Sequence, residues 1–407
     1  MRVAIGLVDV HRPAEHDEAV VAADVGPLIG LAREVDVSNA ESGSPEHRVE
    51  DAQGLAGGVL EDEQFAHTEL RILPERILEP TYTCGPMREY RWTPGQGMDA
   101  AALESLHGRF GRPGEPMGEA WFMGETRRMY PHLLGDLDKL SAEEIQRPMA
   151  EIAAGYSSFG PTEEWHQWYH YLLSRMLPRC HDGTFMASVV ETLITGFIAI
   201  YPNGVHVAPY KRFCEDTLRT LGQCMMEPQC WNGREIAIGE VLHRNNRNPA
   251  GLWGWWDTSG DFSASLFFCL KYLPGELVPG WLRSVLEISD PHWRAQVLVW
   301  AVGAHDMLLG NVKWPVELEE QARPSVTWDW SYCLRAEMAA LDTSGAMPMS
   351  SFLPDEAREK ALHVLHTYFN EDVLLEWLDS ISRVDYLYAE LAEIPSRFET
   401  LFVGKQR

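Results

Sequence analysis

Basic residues are scarce in this sequence. Its 407 residues include 34 Lys and Arg against 60 Asp and Glu, which gives a formal net charge of −26. A chain this acidic repels the phosphate backbone of nucleic acids, and no basic stripe interrupts the acidic pattern. We therefore expect no nucleic-acid partner.

Long apolar runs are also missing. The best candidate for a membrane span runs from Phe185 to Tyr201 and carries Glu191 near its centre. A spanning helix needs about 20 mostly apolar residues, and a charge at the middle of a bilayer is costly. The sequence therefore predicts no membrane partner.

Catalytic motifs are missing too. The sequence contains no G-x-S-x-G elbow, no P-loop and no G-x-G-x-x-G after a strand. These absences exclude the common serine hydrolases and nucleotide-binding folds as first hypotheses. No cofactor is predicted, and the sequence leaves open whether the protein is an enzyme.

Aromatic residues are nearly absent from the first eighty positions, where Phe65 is the one Phe, Tyr or Trp. The same positions contain 17 Asp and Glu and only 6 Arg. A segment with so little to bury cannot readily offset the entropy of its own ordering. We predict a poorly ordered acidic extension over residues 1–90 and a helical domain over residues 98–407. An alternative is that the true start lies at Met87 or Met98.

The cysteines favour an intracellular location. They are odd in number, seven in all, and the first thirty residues lack the basic start and apolar core of a signal peptide. Cysteines spread through a large chain of this kind are usually reduced and buried. The sequence therefore predicts free thiols and a cytoplasmic protein.

Helix signals are frequent after Met98. Ser141 and Glu144 have the spacing of a capping box, and Asp290-Pro291 pairs an N-cap residue with proline at the first helical position. A helix opening at Thr162 carries apolar residues three and four positions apart, which is the pattern of a core-facing stripe. The stripe consists of Trp165, Trp168, Tyr169, Leu172, Leu173 and Met176.

Successive helices joined by short Pro or Gly turns predict an all-α multi-helix array. Within it, the segment from Leu277 to Leu309 has one amphipathic helix, a Ser289-Asp290-Pro291 turn and a second helix. That segment resembles one HEAT-like repeat unit. The resemblance implies an α-solenoid, in which stacked antiparallel helices bury each other's faces, and it implies no activity.

Two histidines are the candidate metal ligands. His166 and His170 are four residues apart on the predicted helix, so both rings leave the same flank. Neutral imidazoles at this spacing can chelate zinc, with Cys180 or His181 as a third ligand. The alternative is that these histidines pack at the edge of the core and hydrogen-bond to neighbours.

A tryptophan-rich segment is the candidate binding surface. Exposed indoles supply large contact area at low entropy cost, and neighbouring carboxylates can act as acid and base or hold a cation. The alternative is that the indoles fill space between helices. The candidate residues are Trp253, Trp255, Trp256, Asp257 and Asp261.

These observations favour an acidic helical protein that binds a protein partner. One concrete form is a protein that neutralises a basic partner, because opposite charge accelerates association. The alternative is a metal-assisted hydrolase with an unfamiliar site built from His166, His170, Asp257 and Asp261. A third hypothesis is an oligomeric scaffold, and the oligomeric state is left open.

Overall fold

The computed structural model describes most of the chain after residue 86. The described residues are 87–119, 127–155, 162–185, 188–237, 242, 258–318, 324–384, 387 and 393–404. All of them belong to one unit, Glu75–Arg407. The predicted acidic extension over residues 1–90 therefore lies almost wholly outside the described residues and stays a prediction.

Helices dominate the described residues, as the all-α prediction requires. In chain order they are α1 (Ala100–Arg109), α2 (Ala142–Ala154), α3 (Thr162–Met176), α4 (Val189–Ile200), α5 (Phe213–Arg219), α6 (Gly260–Tyr272), α7 (Val278–Leu286), α8 (Pro291–Leu309), α9 (Ala336–Leu341), α10 (Asp355–Tyr368), α11 (Glu371–Ser382) and α12 (Ile394–Phe398).

Two short antiparallel hairpins accompany the helices. Strands β1 (Met117–Glu119) and β2 (Arg127–Met129) pair with each other, and so do β3 (Trp231–Asn232) and β4 (Glu235–Ile236). Each hairpin is a two-stranded sheet of two or three residues a strand. Ribbons this short contribute little to the core, which is helical.

The predicted helix starts are confirmed at atomic detail. The Ser141 hydroxyl accepts a hydrogen bond from the Glu144 backbone N–H at 3.3 Å, and the Glu144 carboxylate accepts one from the Ser141 N–H at 2.9 Å. At α8, the Asp290 carboxylate accepts hydrogen bonds from the N–H groups of residues 292 and 293. These side chains satisfy backbone donors that a helix leaves unpaired.

Helices α4 and α6 form the centre of the core. All twelve residues of α4 are buried, and in α6 every residue after Gly260 is buried. The two helices pack against each other, α2 and α3 pack against α4, and α10 packs against α6. Helix α3 turns its predicted stripe inward, with Trp168 and Leu172 fully buried.

A second group of helices packs around α8. Helices α10, α11 and α12 contact α8, and α10 also contacts α7. The predicted helical pair at Leu277–Leu309 is present as α7 and α8, and the Trp293 indole N–H donates to the Val285 carbonyl across their turn at 3.0 Å. Among the described residues, no helix is both long enough and apolar enough to span a membrane.

The cysteine prediction is wrong at one position. Five cysteines are free, four of them buried: Cys180, Cys224, Cys230, Cys269 and Cys333. Cys214, at the start of α5, is disulfide-bonded. The number and spacing of cysteines say nothing about which of them the fold brings together, which is why the sequence does not reveal this bond.

The buried stripe of α3 makes a direct stability prediction. Leu172 is fully buried, so Leu172→Ala removes apolar contacts and leaves a cavity. We expect a loss of about 2–5 kcal/mol in the free energy of unfolding, measured by chemical denaturation. Leu375→Ala is the control, since Leu375 is 56% exposed, and a loss of equal size there would contradict the assignment of faces.

Candidate functional site

Helix α3 places His166 and His170 on one flank, as predicted. Their ring centroids are 6.3 Å apart and their planes are tilted by 58°. The two rings nevertheless have different surroundings, because His170 is buried at 7% exposure whereas His166 is half-buried at the edge of the core.

His170 is part of the core. Its Nε2 lies 2.8 Å from the Tyr201 hydroxyl, and its ring stacks on Phe110 with centroids 4.7 Å apart. Burial, and then the nearby His166, lowers the pKa of His170 to about 3. The imidazole is therefore neutral at physiological pH, and one of its two nitrogens is already engaged.

His166 opens onto a surface cleft of about 260 Å³, here called the His166 cleft. Its floor is apolar, with Trp165 and the end of α4, and its far wall is the end of α9. The full lining is Thr162, Trp165, His166, Ala199, Ile200, Pro202, Met338, Leu341, Asp342 and Thr343.

Asp342 is fixed at the edge of this cleft. Its carboxylate accepts hydrogen bonds from the Asn203 side-chain amide at 3.0 Å and from the Ser344 backbone N–H at 2.9 Å. The same Asn203 amide donates to the Ala339 carbonyl at 2.8 Å. The loop after α4 therefore ties down the end of α9 and holds the carboxylate in place.

The electrostatics of the His166 cleft are set by Asp342. Burial lowers the pKa of His166, and the carboxylates of Asp342 and Glu163 partly oppose that shift. His166 is therefore uncharged near neutral pH. The cleft combines an apolar floor, a neutral imidazole and one fixed negative charge.

The predicted third metal ligands point elsewhere. His181 has its Nε2 2.8 Å from the Cys224 carbonyl oxygen, and the Cys180 thiol is in contact with the Cys224 thiol. Within the described part of the chain, no three His, Cys, Asp or Glu side chains come together in a way that can hold a metal ion. The metal assignment of His166 and His170 stays a prediction.

Most of the predicted tryptophan-rich surface lies outside the described residues. Trp253, Trp255, Trp256 and Asp257 lie outside the described residues. Asp261, the last member of that predicted surface, is described and is fully buried near the start of α6. Its carboxylate accepts a hydrogen bond from the Ser188 hydroxyl.

Sequence reasoning missed a buried carboxyl pair formed by Glu191 and Asp261. Both lie in the first turns of their helices, α4 and α6, and their side chains hydrogen-bond to each other. Glu191 also accepts a hydrogen bond from the Asp329 backbone N–H at 2.5 Å. A Cβ atom on Gly260 would come within 2.3 Å of the Glu191 carboxyl, so a side chain at this position would displace that carboxyl group.

The Glu191–Asp261 pair favours its protonated form. Burial raises the pKa of Glu191 well above its usual value, and the neighbouring carboxylates of Asp261 and Asp329 raise it further. Two carboxyl groups in contact inside a protein cannot both ionise readily, so the pair holds a proton. One sequence signal was visible, namely a glutamate within the apolar run of α4.

A second buried ionisable group, Lys271, lies near the end of α6. Its side chain is 1% exposed, its amine donates to the Phe352 carbonyl at 2.7 Å, and Nζ lies 4.7 Å from the Phe352 ring centroid. Burial lowers the pKa of Lys271 to about 7. A lysine close to a helix end usually reaches solvent, which is why the sequence did not indicate its burial.

Comparison with known proteins adds no identity. The chain matches no family model, no curated protein and no solved structure.

The carboxyl pair predicts a pH-dependent stability. Because the folded pKa of Glu191 is raised, its contribution is present below the unfolded value of 4.5 and is lost as pH rises through the folded pKa. We expect Glu191→Gln to abolish this decrease in stability with rising pH. Its free energy of unfolding relative to the natural protein should then increase with pH above 4.5, by at most about 1.4 kcal/mol per pH unit.

Chemical denaturation between pH 4.5 and 8 measures this difference. Gln keeps an acceptor for the Asp329 N–H, so the variant changes the charge and preserves the shape. Glu359→Gln on the exposed face of α10 is the matched control and should show no such trend. A stability difference for Glu191→Gln that does not vary with pH would contradict the prediction.

Proposed function

We propose that this protein binds a basic partner protein and holds one of its Lys or Arg side chains in the His166 cleft. The observation that carries the proposal is the cleft itself, in which an apolar floor leads to the fixed carboxylate of Asp342. The chain as a whole has a net charge of −26. Neutralising such a partner is one form that this function can take.

The chemistry of the cleft suits a long cationic side chain. Lys and Arg carry an apolar stem beneath a charged head and bury the stem along apolar surface. Trp165, Ala199 and Ile200 offer that surface. The Asp342 carboxylate then meets the cationic head through a charge-assisted hydrogen bond, while neutral His166 adds no repulsion.

The rim of the cleft supplies additional apolar area. Leu341 lines the cleft and is 50% exposed. Exposed apolar side chains beside a polar anchor are typical of protein-binding surfaces. The acidic field of the whole chain supports the choice of a basic partner, because it accelerates encounter with positive charge.

A solenoid-like stack, the absence of nucleic-acid and membrane partners and a cytoplasmic location are further proposals. The solenoid-like stack is supported by the contact of both α7 and α8 with α10, although α7 and α8 make little direct contact with each other. The −26 charge supports the absence of nucleic-acid and membrane partners. A cytoplasmic location is also a proposal, and the disulfide at Cys214 weighs against it, since that compartment keeps most thiols reduced.

Metal-assisted hydrolysis is the second candidate function. The observation that favours it is that His166 faces an open cleft with a pKa lowered by burial, which leaves an uncharged imidazole able to coordinate a metal. Stoichiometric zinc in the purified protein that disappears in His166→Ala would support this candidate over the binding protein. Zinc content below stoichiometry would support the binding protein.

Asp342 carries the decisive prediction for the proposed function. We expect Asp342→Asn to weaken binding of a fluorescein-labelled nona-arginine peptide about tenfold, which corresponds to ~1.4 kcal/mol. The reason is that this variant removes the one fixed charge among the described residues that line the cleft. Fluorescence anisotropy at two salt concentrations measures the affinity, with melting temperature as the check on folding.

Glu359→Gln is the matched control, because it removes the same charge from an exposed position outside the cleft. It should change the affinity less than twofold. Leu341→Ser provides a second test at an exposed rim residue, and it should also weaken binding. Equal effects of Asp342→Asn and Glu359→Gln would show that only net charge attracts the peptide and would overturn the cleft as the site.

A further inference from the structure

A second cleft has a positively charged lining, in contrast to the negatively charged His166 cleft. It is formed by the segment after residue 87, the β3–β4 hairpin and the α7–α8 turn. Its volume is about 360 Å³. Its charged lining consists of Arg91, Arg234 and Glu287, and hydroxyl groups come from Thr93 and Ser289. We call it the arginine cleft. A net positive lining is unexpected in a chain with 60 acidic residues.

We propose that the arginine cleft binds a small molecule through an oxyanion, either a phosphate or a carboxylate group. The guanidinium group presents several N–H donors in a planar fork that matches both kinds of oxyanion. A cleft of this volume lies within the usual range for small-molecule sites. The hydroxyls of Thr93 and Ser289 can complete the set of donors.

The two arginines differ in how they are held. Arg91 donates to the Glu287 carboxylate at 2.9 Å and has Glu89 at 3.8 Å, so its head is oriented before any ligand arrives. Arg234 is exposed in the hairpin turn, directly after Gly233, whose φ of +70° favours glycine. We assign Arg234 the primary contact with the anion and Arg91 a supporting one.

Beneath the cleft lies a rigid aromatic support. The Trp92 backbone N–H donates to the Ser284 hydroxyl at 2.9 Å, and its indole N–H donates to the Gly222 carbonyl at 2.8 Å. The Trp92 ring packs edge-on against Trp281 and Trp293, with centroids 5.6 and 5.9 Å apart. Because this base is already ordered, ligand binding does not incur the entropic cost of ordering the residues around the arginines.

The hairpin that carries Arg234 is anchored in the same way. The Trp231 indole N–H donates to the Met225 carbonyl at 2.8 Å, and the Ile236 N–H donates to the Asp290 carboxylate at 3.1 Å. The Asp290 side chain also caps α8, so the hairpin and the α7–α8 turn are held together. Both walls of the cleft are therefore fixed independently of a ligand.

Isothermal titration calorimetry at low salt tests the proposal with two probes, inorganic phosphate and succinate. We expect saturable binding of at least one probe to the full-length protein. Binding of phosphate alone would identify a phosphorylated ligand, and binding of succinate alone would identify a carboxylate ligand. Arg234→Gln should weaken the binding at least tenfold, because the primary guanidinium is lost.

Two further variants provide a second test within the cleft and a control for charge. Thr93→Val, at an exposed position of the cleft, should weaken binding more than twofold, whereas Lys313→Gln removes an exposed positive charge outside the lining and should leave the affinity unchanged. No saturable binding of either probe would overturn the proposal. Equal affinities for Arg234→Gln and Lys313→Gln would overturn it as well, since general charge attraction would then explain the binding.

Discussion

The contact between α4 and α6 is the constraint on which the rest of this helical structure depends. Each helix is buried almost completely, so each needs neighbours on all sides, and α2, α3 and α10 supply them. Burial of so much apolar surface provides the main driving force for folding. It also carries two carboxyl groups inside, because Glu191 and Asp261 are part of the same two helices.

Helix α3 shows how one element serves the core and the surface together. Its apolar stripe packs inward, and His170 lies in the core beside it, where it hydrogen-bonds to the Tyr201 hydroxyl. His166, one turn earlier, lines the cleft. The far wall comes from α9, more than a hundred residues later in the chain. Asn203, in the loop after α4, links the two walls through its hydrogen bonds to Ala339 and Asp342.

Local features of the fold were predictable from the sequence, and features that join distant segments were not. The Ser141–Glu144 capping box and the Asp290 cap depend on residues within one helical turn, so their spacing is sufficient to predict them. The α3 stripe was predictable for the same reason, since periodicity identifies a buried face.

The candidate site was predictable only in part. His166 and His170 were both predicted as candidate metal ligands. The sequence did not indicate that only His170 is buried, because its ring is covered by Phe110 and Tyr201, which belong to other elements. Asp342 and Arg234 carry no local signal, because a single charge in a loop looks like ordinary solvated surface. Helix packing decides which of these side chains line a cavity.

Glu191 and Lys271 are both buried and have opposite proton preferences, and this couples folding to the pH of the solvent. Folding favours proton uptake at Glu191 and proton release at Lys271. Where both groups change state, their contributions to the number of protons exchanged with the buffer have opposite signs and partly cancel. The heat of unfolding measured in buffers with different ionisation enthalpies therefore reports the balance between the carboxyl pair and the amine.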